Sequence, residues 1–312
     1  MALLSFISRR LLQLIPTLAF ILVVIFVLVR LLPGDPASAI LGDRARDADV
    51  TRINAELGLD QPWPVQFALF VKHIVTGDLG NSIHLKVSVA SLIAERLPVT
   101  LMLTAMAALI ALALSVPLAF VAATRRGSLS DNAIRGSFQV GLSMPVFYVG
   151  LILLTVFGAK LRWFPVGGFG TTFLDQLYHL FLPAVTLALS LSAILMRNLR
   201  SAIIGVVGAE YVDFARSKGL SSRLIMMRHV LRNALISTVT LLGLQIGTLL
   251  GGAVITETVF AIPGAGRLMI ESIYGRDYPV VQGLTFALAI IVSLTFLATD
   301  IVQAWLDPRV AR

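Results

Sequence analysis

The chain has 312 residues, 57% of them hydrophobic and 13% charged, with a formal net charge of +8 and a mean hydropathy of +0.89. A soluble domain carries about twice that share of charge, so the polar surface that a soluble fold of this length needs is missing, and the composition belongs to a membrane protein. There are no cysteines, which removes disulfides, thiolate metal sites and cysteine nucleophiles, and the arginines stand at the ends of apolar runs instead of forming one basic face, which argues against nucleic acid as a partner.

In chain order, Arg9 and Arg10 introduce the apolar stretch Leu11–Val29. It is longer than the core of a secretory signal and no small-x-small cleavage site follows it, so the sequence predicts an uncleaved first transmembrane helix within residues 1–31. Residues 32–97 contain Asp35, Asp43, Asp47, Asp49, Asp60, Trp63 and Pro64. They are too polar to span and are expected to form an external, periplasmic region with helix-compatible stretches at Asp49–Leu57 and Trp63–Val75.

Five further uncharged runs follow within residues 98–312: Val99–Ala123, Gly136–Ala159, Leu180–Met196, Ala234–Thr256 and Val280–Thr299. A hydrocarbon core needs roughly 20 residues of helix to cross, and lipid offers the backbone no partners outside its own helix. The expectation is therefore an all-α, polytopic protein with six transmembrane helices. Pro117 and Pro145 lie inside the second and third runs, where they are expected to kink the helices. Lys and Arg concentrate on one side, at Arg9, Arg10, Arg125, Arg126, Arg135, the stretch from Arg197 to Arg232, Arg309 and Arg312. By the positive-inside rule that side is cytoplasmic and both termini lie there.

The stretch between the fourth and fifth runs, with its loop at 201–232, reads as two short helical pieces parted at Gly219. A glycine supplies the left-handed angles of a helix exit, and Ser221 or Ser222 suits the N-cap of the second piece. Tyr211, Phe214 and Ala215 place aromatic and small groups on a short helix in water, the shape of a plug for another protein's groove. In the fifth run, Gly243, Gly247 and Gly251 recur at four-residue spacing with Gln245 and Thr248 between them. Small residues so spaced allow close helix packing; a subunit interface and pathway lining is the second, compatible reading. Glu257, at the outer end of this run, is costly in lipid unless it is paired or faces water, so it is expected to face a vestibule or to pair with a partner's residue.

At this point a family resemblance becomes specific. Asp213-Phe214-Ala215-Arg216-Ser217-Lys218-Gly219 resembles the acidic-x-Ala-x-x-x-Gly core of the EAA loop of ABC importer permeases. The wider pattern of Glu210, Tyr211, Leu220, His229 and Leu231-Arg232-Asn233-Ala234 is similar to the dipeptide/oligopeptide branch. Phe214 departs from the general pattern, which has alanine there; Arg232 stands where many permeases have proline, as is usual in the peptide branch. Leu32–Pro36, Leu57–Pro62, Gly77–Ser82, Glu257–Phe260 with Pro263-Gly264, Arg276–Gly283 and Leu306–Arg309 extend the likeness along nearly the whole chain.

The resemblance implies a type I importer fold in the bacterial inner membrane, with a periplasmic insertion after the first helix and a coupling helix made by Glu210, Tyr211, Asp213, Phe214, Ala215, Arg216, Lys218 and Gly219. It further implies a second homologous permease, two ATP-binding subunits that hold ATP and Mg, and a periplasmic or lipid-anchored substrate-binding protein. The chain's own motifs agree with a non-catalytic subunit. Its four lysines, Lys72, Lys86, Lys160 and Lys218, include none in a phosphate-loop setting, and His73, His84, His179 and His229 are scattered, with no metal-ligand spacing. No catalytic residue and no cofactor is expected. Nickel or another small solute is the alternative cargo. An ion-coupled secondary transporter is the weaker alternative, because the spans lack ionisable residues at mid-depth.

Overall fold

The computed structural model describes residues 2–31 and 60–306. The expected helix at Asp49–Leu57 and the stretches Leu32–Pro36 and Asp307–Arg309 lie outside the described residues. Those residues are mainly helical, and the only β pairing among them is an isolated antiparallel bridge between Asn81 and Ser88. Among the described residues five helices are long and apolar enough to cross a membrane, and a bent helix pair makes a sixth if it crosses as one span. The all-α expectation stands, with five to six spans in place of a fixed six. The chain divides into two compact units, 1–6 with 100–263 and 295–312, and 7–99 with 264–294.

In the first unit α6 (Phe173–Val207) is the central helix. Its most apolar window is 67% buried, against 17–28% in the other long spans. Around it pack α4 (Leu129–Ser143), α5 (Val146–Leu153) and α8 (Arg232–Val259). Thr172 caps α6 by accepting from the Asp175 N–H at 3.3 Å, and the helix runs on to Val207, well past Met196, where the predicted run ends. Its inward side stays apolar beyond that point, with Leu199 and Ile203 buried, while Arg197 and Ser201 project outward.

The third run departs from a kinked single helix. It is two helices, α4 and α5, whose axes turn by 102° at a short break. Met144 has extended backbone angles (φ −92°, ψ 135°) and Pro145 stands at the N-cap of α5. Proline has no N–H to give and pushes the preceding residue out of the helical region, so the helix breaks and restarts. α5 then widens into a π-helical stretch, Leu154–Lys160.

The second unit holds the apolar part of α1 (Ala2–Leu31), α2 (Trp63–Thr76), α9 (Ala265–Tyr274), and the first turns of α3 (Val89–Thr124) and α10 (Tyr278–Leu306). Phe26 meets Phe67 edge-on at 5.2 Å between ring centroids. Val89, Leu92, Ala265, Leu268, Val280 and Leu284 form its core. Gly283 sits where a Cβ would strike the Val89 side chain. Asp277, nearly buried, accepts from the Ser82 hydroxyl at 2.5 Å and from the Ile83 and His84 N–H groups at 3.1 and 3.3 Å. Two separate sequence motifs, Gly77–Ser82 and Arg276–Gly283, thus meet in one clasp.

Candidate coupling site

The loop after α6 folds as the sequence predicts. It forms a short helix, α7 (Glu210–Ser217), with Glu210 and Asp213 in its first turn and Arg216 in its last, matching the helix dipole at both ends. Asp213 and Arg216 also pair with each other at 3.0 Å. The exit is a Schellman arrangement: the Gly219 N–H donates to the Arg216 carbonyl at 2.9 Å and the Leu220 N–H to the Ala215 carbonyl at 3.4 Å. Gly219 has φ +77°, a conformation that costs other residues roughly 1–2 kcal/mol. Ser221 then caps the next turn, accepting from the Leu224 N–H at 3.4 Å. A π-helical stretch, Ile225–Leu231, leads into α8; such stretches are often found at functional sites.

α7 has two faces. Val212 and Ala215 are buried in an apolar cluster with Met196, Leu199 and Ile203 of α6, Ile225 and Val230 of the π stretch, Ala234 of α8 and Ala119 of α3. Glu210, Tyr211, Asp213, Phe214, Arg216, Lys218 and Gly219 are exposed. Phe214 is 61% exposed, with the Lys218 ammonium 4.5 Å from its ring centroid. Asn233 Nδ2 donates to the Tyr211 hydroxyl at 2.8 Å, which ties the exposed face to the first turn of α8. Of the residues assigned to the coupling helix, Ala215 is the buried one, and it seats the helix. The i, i+3 spacing of Val212 and Ala215 was the available signal.

A second tie was missed in the sequence. Asp131, 1% exposed in the first turn of α4, receives Arg200 of α6 in a two-pronged pair, Nε to Oδ1 at 2.8 Å and Nη2 to Oδ2 at 2.7 Å. The Gly127 N–H adds a bond at 2.9 Å. A lone acid among Arg125, Arg126 and Arg135 was the only hint in the sequence.

The residues singled out in the fifth run do not share one face. Gly243 is buried against Thr299, leaving no room for a Cβ, whereas Gly251 opens onto empty space. Gln245 and Gly247 are half-buried and Thr248 is exposed. Leu244, Thr248, Gly251 and Ile255 line the outward side of α8. Glu257 is fully buried and accepts from the Thr100 hydroxyl of α3 at 2.5 Å. Its carboxylate faces the interior of its own chain in place of an open vestibule. Among the described residues no group of three His, Cys, Asp or Glu could hold a metal ion.

Comparison with known proteins adds what geometry alone does not. Residues 115–312 match the family described as binding-protein-dependent transport system inner membrane component, and residues 3–104 match its N-terminal companion. The chain belongs to this family. It is an ABC importer permease, a multi-pass inner-membrane protein whose family works with substrate-binding and ATPase proteins. The permease is 37% identical to the oligopeptide transport system permease protein AppB of Bacillus subtilis, covering 98% of this chain and 99% of that protein. It is 36% identical to the glutathione transport system permease protein GsiC of Salmonella typhimurium, again over 98% and 99% of the two chains. A solved structure of the MetNI methionine ABC transporter in an inward-facing conformation shares the fold, with a TM-score of 0.58 at 17% identity. That likeness covers 69% of this permease and 96% of the other chain.

Proposed function

We propose that this permease carries di- or oligopeptides inward, and that α7 is the element through which a nucleotide-hydrolysing partner drives it. The cargo reading rests on the names of relatives that are similar along their full length. The drive reading rests on one observation: α7 turns Tyr211 and Phe214 outward while Val212 and Ala215 are embedded in the cluster that joins α6 to the root of α8. A push on the outward face therefore passes into two spans through close-packed apolar contacts, without any chemistry in this chain.

In this reading the chain is a non-catalytic subunit. A second, homologous permease completes the pathway, two ATPase subunits supply ATP and Mg, and a periplasmic or lipid-anchored binding protein delivers the peptide. The excess of arginine around α7 and Arg125–Arg135 supports placing both termini in the cytoplasm. Residues 32–97 then form the periplasmic region and 98–312 the five-helix core with its coupling loop at 201–232. The outward side of α8, at Leu244, Thr248, Gly251 and Ile255, serves as the face toward the second permease and the pathway.

The test is made on the purified four-subunit complex in proteoliposomes, supplied with its substrate-binding protein. Gly219→Asp, which strains the helix exit, and Asp213→Arg, which reverses charge on the outward face, are expected to leave membrane insertion intact. Both should weaken ATPase docking and abolish peptide-stimulated hydrolysis. Wild-type stimulated hydrolysis in both variants would remove α7 from the coupling role. Failure of di- and oligopeptides to stimulate the unmodified complex would remove the cargo assignment alone.

A further inference from the structure

Between α4 and α6 lies an open cleft of about 510 Å³, continuous in its lining residues with a smaller one bordered by Arg126, Asp131 and Arg200. Its polar end is formed by Asn132 and Arg135 on α4 and by Arg197 and Ser201 on α6. Its apolar end is formed by Phe138 and Leu142 on α4 and by Ala193 and Met196 on α6, with Gln139 between the two ends. Along α4 the lining passes from polar to apolar as the numbers rise; along α6 it does so as they fall. The Asp131–Arg200 pair aligns the two helices, so both gradients run the same way, from the arginine-rich membrane surface into the apolar layer.

The charge in the cleft is unbalanced. One carboxylate, Asp131, lies among the lining residues, and it is committed to Arg200. Arg126, Arg135 and Arg197 make no ion pair among the described residues. A cluster of guanidinium groups at the rim of an apolar slot, at the arginine-rich end of the two helices, matches one class of molecule. It needs an anionic phosphate at one end and hydrocarbon at the other. Basic pockets between transmembrane helices are a recurrent form of anionic-lipid site, and arginine forks suit phosphate oxygens.

We propose that this cleft is a binding site for an anionic phospholipid of the inner leaflet. The phosphate is held by Arg135 and Arg197, with Asn132 and Ser201 as hydrogen-bond partners, and one acyl chain lies along Phe138, Leu142 and Met196. The lipid bridges the arginine-rich ends of α4 and α6 beside the Asp131–Arg200 pair. Its occupancy therefore bears on the helix that seats α7.

The purified complex, delipidated in detergent and mixed with phosphatidylglycerol and phosphatidylcholine of identical acyl chains, is examined by native mass spectrometry. The expected result is preferential retention of phosphatidylglycerol. That preference should fall about fivefold on Arg135→Gln or Arg197→Gln and about twenty-five-fold on the double change, at about 1 kcal/mol per basic residue near an anionic surface. Ser201→Glu, which keeps every arginine but sets a carboxylate at the polar end, should reduce retention likewise, and it serves where the double variant does not assemble. Equal retention of both lipids by the unmodified complex overturns the proposal. So does displacement of the lipid by millimolar inorganic phosphate, which marks a free-anion site, and so does cross-linking of Arg135→Cys to another subunit, which marks a protein contact. The readout is lipid retention and not transport, so its failure leaves the importer reading untouched.

Discussion

Tyr211 on the exposed face of α7 and Asn233 at the root of α8 are joined side chain to side chain, with Asn233 Nδ2 donating to the phenol oxygen at 2.8 Å. This bond is the polar complement of the apolar seat made by Val212 and Ala215, and it runs from the exposed face of α7 to a lipid-crossing helix. A net hydrogen bond contributes about 0.5–1.5 kcal/mol, so Tyr211→Phe is expected to lower peptide-stimulated ATP hydrolysis about two- to tenfold while the complex still assembles. Asn233→Ala should do the same. The double variant should be no worse than either single one, because both remove one interaction. Additive losses would mean that the two residues act separately.

Asp131 and Arg200 predict an asymmetry of another kind. Removing one member of a buried pair strands the other charge, whereas removing both does not. Asp131→Asn is therefore expected to lower the thermal stability of the complex more than Asp131→Asn combined with Arg200→Gln. Equal or greater destabilisation by the double change would show that neither charge is stranded when its partner is removed.

What could be read from the sequence was local in origin. Six apolar runs are composition over about 20 residues, the Gly219 exit is a property of one backbone angle, and the Ser221 cap belongs to one turn. What could not be read depended on neighbours. Pro145 announces a disturbance, but whether the helix kinks or turns by 102° is decided by what packs on either side. The Asp131–Arg200 pair joins residues far apart in the chain, and the Ser82–Asp277 bond joins residues farther apart still; no periodicity marks either. Glu257 read as a residue facing a vestibule or pairing with a partner's residue, because Thr100 is not visible to it in sequence.

The glycine stripe of α8 shows how a spacing rule fails over distance. Four residues advance a helix by about 400°, so each step drifts about 40°, and Gly251 lies about 80° around from Gly243. The two therefore have different neighbours. A Cβ at Gly243 meets the Cβ, Oγ1 and Cγ2 atoms of the stiff, β-branched Thr299, whereas one at Gly251 meets nothing. Gly243→Ala is expected to cost about 1–3 kcal/mol by overpacking, read as a lower melting temperature of the permease. Gly251→Ala should leave that temperature unchanged, and any loss it causes should appear in co-purification of the second permease. Equal destabilisation by both would contradict the two-face description.

Thr100 and Glu257 show how far a charge's surroundings can differ from those its place in the sequence suggests. Both are buried, on α3 and α8, and the threonine hydroxyl donates to Glu257 Oε1 at 2.5 Å. Thr100→Val keeps the shape of the side chain and removes its donor, so the loss is electrostatic and not steric. The cost should lie between about 0.6 kcal/mol, the mean for interhelical bonds in a membrane protein, and about 3 kcal/mol, the upper range for bonds to a charged group. Glu257→Gln keeps an acceptor oxygen for Thr100 and should cost less than Glu257→Ala, which leaves the hydroxyl facing a void. Thermal unfolding of the three variants in one detergent orders them. If Glu257→Ala proved as stable as wild type while transport fell, the carboxylate would belong to the pathway and not to the packing of α3 on α8.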